Sequence, residues 1–176
     1  RGARGRGVVG QMNAALCQVL PSDKFVTLFY AEIDPPTGSV EYVNAGHTDG
    51  LIYRANTGAL ETASATTGIL GICDDSEDTP SARLRLQAGD VLAVYSDGAV
   101  ESRGIDGNRL GDEPIRRLVV RHAHMSAQEM AERIAAEIEA ATIADGRDDL
   151  AILCVKVAGE PEHADARRLL EQRLQP

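Results

Sequence analysis

Residues 89–101 read GDVLAVYSDGAVE. A Gly-Asp turn leads into Val91, Leu92, Ala93, Val94 and Tyr95, an unbroken apolar run with the character of a strand buried on both faces. Asp97 and Gly98 follow that run directly. A second stretch of the same kind, LAILCVKV at 150–157, is preceded by Asp148 and Asp149. If the two strands are antiparallel neighbours, the end of one lies beside the start of the other, and Asp97 and Asp148 converge at one edge of a sheet.

Between these strands, 113–120 and 126–141 read as helices. In the second, Ser126 and Glu129 form a capping box, and Met130, Ile134 and Ile138 make an apolar stripe. Upstream the pattern is one of hairpins. FVTLFYAEI at 25–33 is β-branched and aromatic, Asp34-Pro35-Pro36-Thr37-Gly38 is a turn, and SVEYVN at 39–44 returns. LIYR at 51–54 and LET at 60–62 flank a second turn at Asn56-Thr57-Gly58, and RLRL at 83–86 alternates. Hairpins, then helices, then a returning strand make an α+β pattern with mainly antiparallel sheets, not βαβ alternation. Before the hairpins, Met12, Leu16 and Leu20 are spaced for a short helix ending at Pro21.

Composition narrows the function classes. The 176 residues hold 18 Lys plus Arg and 27 Asp plus Glu, a net charge of −9. With two Phe, four Tyr and no Trp, the chain offers little surface on which bases could stack. Nucleic acid is therefore excluded as the main partner; Arg1, Arg4 and Arg6 give a weak, salt-sensitive contact at most. No apolar run approaches the roughly 18 residues of a membrane span, and there is no secretory h-region. Cys17, Cys73 and Cys154 lie far apart without C-x-x-C spacing, which reads as reduced thiols in a cytoplasmic protein. The first 22 residues contain no acid at all.

Crowded carboxylates at a strand end repel one another unless protonated or bound to a cation, and hard oxygen donors suit Mg²⁺ or Mn²⁺. Asp97 and Asp148 are the candidate ligands on this reading, with Gly98 permitting a sharp turn after the first. The alternative is that both acids are turn residues. His47, in Asn44-Ala45-Gly46-His47, is either a general acid or a hydrogen-bonded loop residue, and the second is favoured. His122 and His124 read as a solvated pair, and Asp74, Asp75, Glu77 and Asp78 as a solvated loop. Residues 66–72 pack two apolar side chains between glycines or form a flap over a site. Ser96 adjoins Asp97, but no G-x-S-x-G elbow surrounds it.

Taken in order, these motifs resemble one family. FVTLFY at 25–30 with Asp34 resembles its F-x-T-x-x-Y/F…D strand, and Asn44-Ala45-Gly46-His47 its N-A-G-H turn. Gly68-Ile69-Leu70-Gly71 resembles its G-x-x-L-G segment. GDVLAVYSDGAVE at 89–101 resembles its G-D-x-L-x-x-Y-T/S-D-G-x-x-E motif, and DDLAILCV at 148–155 its closing D-D-x-T/A motif. The family is the SpoIIE/RsbU-type branch of the metal-dependent (PPM) serine/threonine phosphatases, and the match covers about residues 11–157.

The resemblance implies a four-layer αββα sandwich and hydrolysis of phosphoserine or phosphothreonine on a protein, using a pair of Mn²⁺ or Mg²⁺ ions. By motif position Asp97 and Asp148 are metal ligands, Asp149 stands beside the second, and 68–71 corresponds to a regulatory switch. A phosphorylated anti-sigma-factor antagonist is the implied substrate, in bacterial partner switching and stress signalling. Sensor or regulatory domains of the same full-length protein are the implied partners. The family also carries an upstream G-D-x-x-D strand and a D-x-x-G-H/K-G turn that nothing here matches. Either those ligands lie on a segment outside this sequence, or the protein is a phosphatase-like regulatory module without full activity. The expected division is a flexible segment at 1–10, a phosphatase-like domain at 11–158, and a C-terminal helix or linker at 159–176. That helix, over 164–174 with Leu169, Leu170 and Leu174, would be a linker or a homodimer contact.

Overall fold

The computed structural model describes residues 4–72, 79–143, 146 and 148–158. At the turn after Asp34, the Gly38 N–H donates to the Asp34 carbonyl at 2.8 Å. It joins β1 (Leu28–Asp34) to β2 (Ser39–Ala45), which pair antiparallel from Leu28 opposite Ala45 to Asp34 opposite Ser39. A second turn, closed by Gly58 N–H on Arg54 O at 2.8 Å, joins β3 (Gly50–Tyr53) to β4 (Leu60–Ala63). β5 (Ala82–Arg85) returns to the free side of β2, giving a sheet of order β1-β2-β5. β6 (Val91–Tyr95) lies between β3 and β7 (Ile152–Lys156), giving a second sheet of order β4-β3-β6-β7. The expected pairing of 91–95 with 150–157 is found, antiparallel, with Val91 opposite Lys156 and Tyr95 opposite Ile152.

Strand alternation divides the apolar residues among three cores. Val40 and Tyr42 of β2, Ile52 of β3 and Leu92 of β6 meet between the sheets, where Phe29 and Tyr42 stack with ring centroids 5.4 Å apart. On the outer face of the second sheet, Leu51, Val91, Ala93 and Tyr95 pack against α3 (Asp112–His122) and α4 (Ala127–Ala141). The expected stripe of Met130, Ile134 and Ile138 is fully inside this core. On the outer face of the first sheet, Val43 and Ala45 meet Val9 of α1 (Arg4–Val19) and Leu70. The layers are therefore helix, sheet, sheet, helix, as the four-layer reading requires.

The capping box of α4 is formed: Glu129 N–H donates to Ser126 Oγ at 3.3 Å, and Ser126 N–H to Glu129 Oε2 at 3.1 Å. α3 places Asp112 and Glu113 in its first turn and Arg121 and His122 in its last, each sign at the favourable end of the helix dipole.

Four expectations need correction. The loop expected over 1–7, and the flexible segment over 1–10, give way to helix from Arg4 onward. Its glycines disfavour that helix locally, but Val9 is completely buried, and packing overrides propensity. His122 is not solvated: it is 5 % exposed and its Nε2 lies 2.7 Å from Glu137 Oε1, while His124 stays exposed. The H-x-H spacing near the end of a helix puts one ring inward and the other out. Cys17 is disulfide-bonded rather than reduced, and Cys154 carries a free thiol that burial pushes up to a pKa of about 11. Gly98, expected to allow a sharp turn, has no positive φ and instead makes room for the Asp149 carbonyl. The acids Asp74, Asp75, Glu77 and Asp78, and the helix expected over 164–174, lie outside the described residues. Among the described residues no helix is long and apolar enough to cross a membrane.

Candidate functional site

Antiparallel pairing of β6 with β7 brings the C-terminal end of one to the N-terminal end of the other, and the acids flank that junction. Asp97 lies two residues past β6 and is the N-cap of a single turn, α2 (Gly98–Glu101). Its carbonyl accepts from Val100 N–H at 2.9 Å and Glu101 N–H at 2.8 Å, and its Oδ1 accepts from Gly98 N–H at 3.1 Å. Asp148 lies just before β7, and its Oδ1 accepts from Asp149 N–H at 2.8 Å. Asp97, Asp148 and Asp149 are all exposed. Among the described residues, no hydrogen bond is found to the Oδ2 atom of either Asp97 or Asp148.

Two serines tie the acid-bearing segments together. The Ser96 hydroxyl donates to Asp149 O at 2.8 Å and accepts from Ala151 N–H at 2.9 Å. The Ser96 N–H also donates to Ala151 O at 2.9 Å, extending the ladder past the end of β6. Ser102, the C-cap of α2 and 4 % exposed, accepts from Asp148 N–H at 3.3 Å. Gly98 is needed for a contact rather than for a turn. A Cβ there would stand 2.4 Å from Asp149 O, so only glycine lets the two chains approach this closely. Ser96, weighed above only as a neighbour of Asp97, spends its hydroxyl on backbone.

The Asn44–His47 turn lies at the same end of the sandwich. Asn44 is fully buried; its Oδ1 accepts from His47 N–H at 2.9 Å and its Nδ2 donates to Thr48 O at 3.2 Å. Thr48 in turn donates its hydroxyl to the Tyr95 carbonyl, two residues before Asp97. The His47 ring is engaged by Thr27, Nδ1 to Oγ1 at 3.1 Å. Among the described residues no hydrogen bond joins it to Asp97 or Asp148, so the structure places His47 at the site's end of the fold without bringing it onto the acids. Gly46 has φ +62°, and a Cβ there would sit 2.4 Å from Ile69 Cγ2, which seats the turn on the 68–71 segment. That segment is pinned. Leu70 is 3 % exposed and bridges Val26, and Gly71 N–H donates to Asn13 Oδ1 of α1 at 2.8 Å. Leu70 thus packs as the first reading of 66–72 expects, with Ile69 half-buried against Gly46.

One acid was not singled out from the sequence. Extending the register of Leu51 opposite Ala93 outward brings Asp49 level with Tyr95. Burial, then the charges of Asp112 and Asp49, push the Tyr95 phenol up to about 12, with Arg116 opposing. The available signal was positional: Asp49 immediately precedes β3 as Asp148 and Asp149 precede β7. Asp90, although part of the Gly89-Asp90 motif, is structural. It is 2 % exposed and accepts from Gln87 N–H at 3.0 Å, Ala55 N–H at 2.9 Å and Arg54 at 3.0 Å.

By kind, the free carboxylate oxygens of Asp97 and Asp148 fit a hard divalent cation. By number they are short of a pair of ions, because no group of three or more His, Cys, Asp or Glu that could hold a metal occurs among the described residues.

Comparison with known proteins bears on both fold and family. The chain is 30 % identical over 127 residues to the phosphoserine phosphatase RsbU of Bacillus subtilis (strain 168); the match covers 72 % of this chain and only 37 % of that protein. Its fold matches the SiaA-PP2C domain of Pseudomonas aeruginosa with a TM-score of 0.73 at 16 % identity, over 86 % of this chain and 60 % of that one. The catalytic domain of the serine/threonine phosphatase PstP, in complex with two manganese ions, matches with a TM-score of 0.65 at 16 % identity, over 88 % of this chain and 70 % of that one. The family model for Stage II sporulation protein E (SpoIIE) matches residues 1–158. The chain, a helix–sheet–sheet–helix sandwich of the PP2C/PPM kind, thus belongs to the SpoIIE family.

Proposed function

We propose that this chain is the phosphatase domain of a metal-dependent phosphoserine/phosphothreonine protein phosphatase, with Asp97 and Asp148 as its metal ligands and Asp149 in support. The observation that carries the reading is the convergence of these acids at the β6–β7 junction of a PPM-type fold. Asp97 and Asp148 would hold one Mn²⁺ or Mg²⁺ through their free oxygens. When bound, such a cation supplies charge stabilisation to phosphate oxygens and acidifies a coordinated water. This chain's residues supply the rest: Ser96, Ser102 and Gly98 fix where the carboxylates stand, and the Asn44–Thr48 turn braces the end of β6. A two-metal centre needs donors beyond these.

The likeness to RsbU supports phosphoserine on a protein as the substrate. The SpoIIE/RsbU resemblance supports a phosphorylated anti-sigma-factor antagonist, within cytoplasmic partner-switching and stress signalling. Sensor domains and a second copy of the chain are the partners proposed with it. A second reading is a phosphatase-like module that binds the same partners without hydrolysing them.

The test is manganese-dependent release of phosphate from a phosphoserine protein. Hydrolysis that disappears in Asp97→Asn and in Asp148→Asn establishes the enzyme. Absent hydrolysis by a full-length protein that lacks upstream acids, with retained binding of the phosphoprotein, establishes the module.

A further inference from the structure

We infer that Ser96 and Ser102 form a two-point clasp that sets the spacing of Asp97 and Asp148, which makes them positioning residues of the acidic site. The inference rests on the phosphatase reading for its purpose, and on hydrogen bonds alone for its geometry. Regular pairing of β6 with β7 ends at Tyr95 opposite Ile152. Beyond that point a single ladder bond remains, Ser96 N–H to Ala151 O at 2.9 Å, and past it both chains carry their acids. The Ser96 hydroxyl uses its donor on Asp149 O at 2.8 Å and its acceptor on Ala151 N–H at 2.9 Å. It therefore grips the entering chain on both sides of Leu150. Ser102 grips it again at Asp148 N–H, 3.3 Å away. Asp97 lies between the two serines in sequence, at the N-cap of the turn that Ser102 closes. The two contacts bracket Asp97 on one chain and hold Asp148 and Asp149 on the other.

A hydroxyl is required because it donates and accepts at once. Alanine removes both bonds, while threonine keeps them. Gly98 leaves room for the clasp by allowing Asp149 to approach α2. Groups that orient metal ligands from behind typically change metal affinity by about 10- to 100-fold when removed.

The experiment compares the unaltered chain with Ser96→Ala, Ser102→Ala and Ser96→Thr in two measurements: amide hydrogen exchange without metal, and Mn²⁺ binding by calorimetry. Expected are faster exchange at Ala151 in Ser96→Ala and at Asp148 in Ser102→Ala, unchanged exchange in α4, Mn²⁺ binding about tenfold weaker in Ser96→Ala, and recovery in Ser96→Thr. Unchanged exchange at Ala151 overturns the clasp. So does faster exchange with full Mn²⁺ affinity, because Ser96 is then structural only. Should the unaltered chain take up no Mn²⁺, the assignment of Asp97 and Asp148 as ligands of one ion fails separately, and the exchange data alone decide the clasp. Unchanged exchange in α4 shows that each variant is folded.

Discussion

A Cβ placed on Gly98 would stand 2.4 Å from the carbonyl oxygen of Asp149 and 2.8 Å from its carbonyl carbon. No backbone atom tolerates such a neighbour, so Gly98→Ala must push the β7 entry away from α2. We expect a loss of about 2 kcal/mol in urea denaturation. Gly68→Ala is the contrast: nothing lies within 4 Å of its Cβ position, and its φ is not positive. It should fall within about 0.5 kcal/mol of the parent. Equal losses in the two variants would sink the close-approach account.

Asp90 gives the fold an acid-sensitive joint. Burial raises its pKa, but the N–H groups of Gln87 and Ala55 and the Arg54 guanidinium outweigh that, and the carboxyl titrates below the ordinary value. Because the folded pKa is depressed, its stabilising contribution is complete above about pH 4, the unfolded value, and is lost as pH falls through the folded one. Asp90→Asn should remove this part of the acid limb and cost about 3 kcal/mol at neutral pH, since Arg54 loses a buried partner. Stability curves from pH 7 down to about pH 3, measured for both proteins, check this; parallel curves would refute it.

Tyr95 reports on Asp49. Its phenol is pushed up to about 12 by burial and by the charges of Asp112 and Asp49. Asp49→Asn removes a negative charge and should lower that value. Tyrosinate absorbance between about pH 9 and 12.5 reads it directly. The raised pKa contributes stability that is complete below about pH 10 and lost as pH rises through about 12. An unchanged titration in Asp49→Asn would show that Asp49 is not coupled to this end of β6.

The cysteines differ in chemistry. Cys17 is disulfide-bonded and should be silent to a thiol reagent until a reductant is added. Cys154 is free, but burial raises its pKa to about 11, so its thiolate is scarce at neutral pH. We expect it to react at least tenfold more slowly than an exposed cysteine, whose pKa is about 8.5, and to speed up on denaturation. Rapid labelling of the native chain would contradict its burial.

Much of this molecule was written locally. The run at 91–95, the hairpins around Asp34–Gly38 and Asn56–Gly58, and the capping box at Ser126 each depend on neighbours within a few residues, so period and turn chemistry were enough to place them. The antiparallel pairing of 91–95 with 150–157 followed too, because only that pairing sets the end of one apolar run beside the start of the other. Other features depend on contacts between residues far apart in the chain, which no local pattern encodes. The helix from Arg4 exists because Val9 finds a pocket against Val43 and Leu70. His122 turned inward because Glu137 of the next helix awaited it. Ser102 met the acid-bearing segment, and Asp49 came level with Tyr95, only when strand register and the α2 turn placed them. Sequence alone determined the strands, the turns and the acids themselves. Tertiary structure decided which hydroxyls and which glycine hold those acids in place, because packing and hydrogen bonding act across distances that sequence order does not measure.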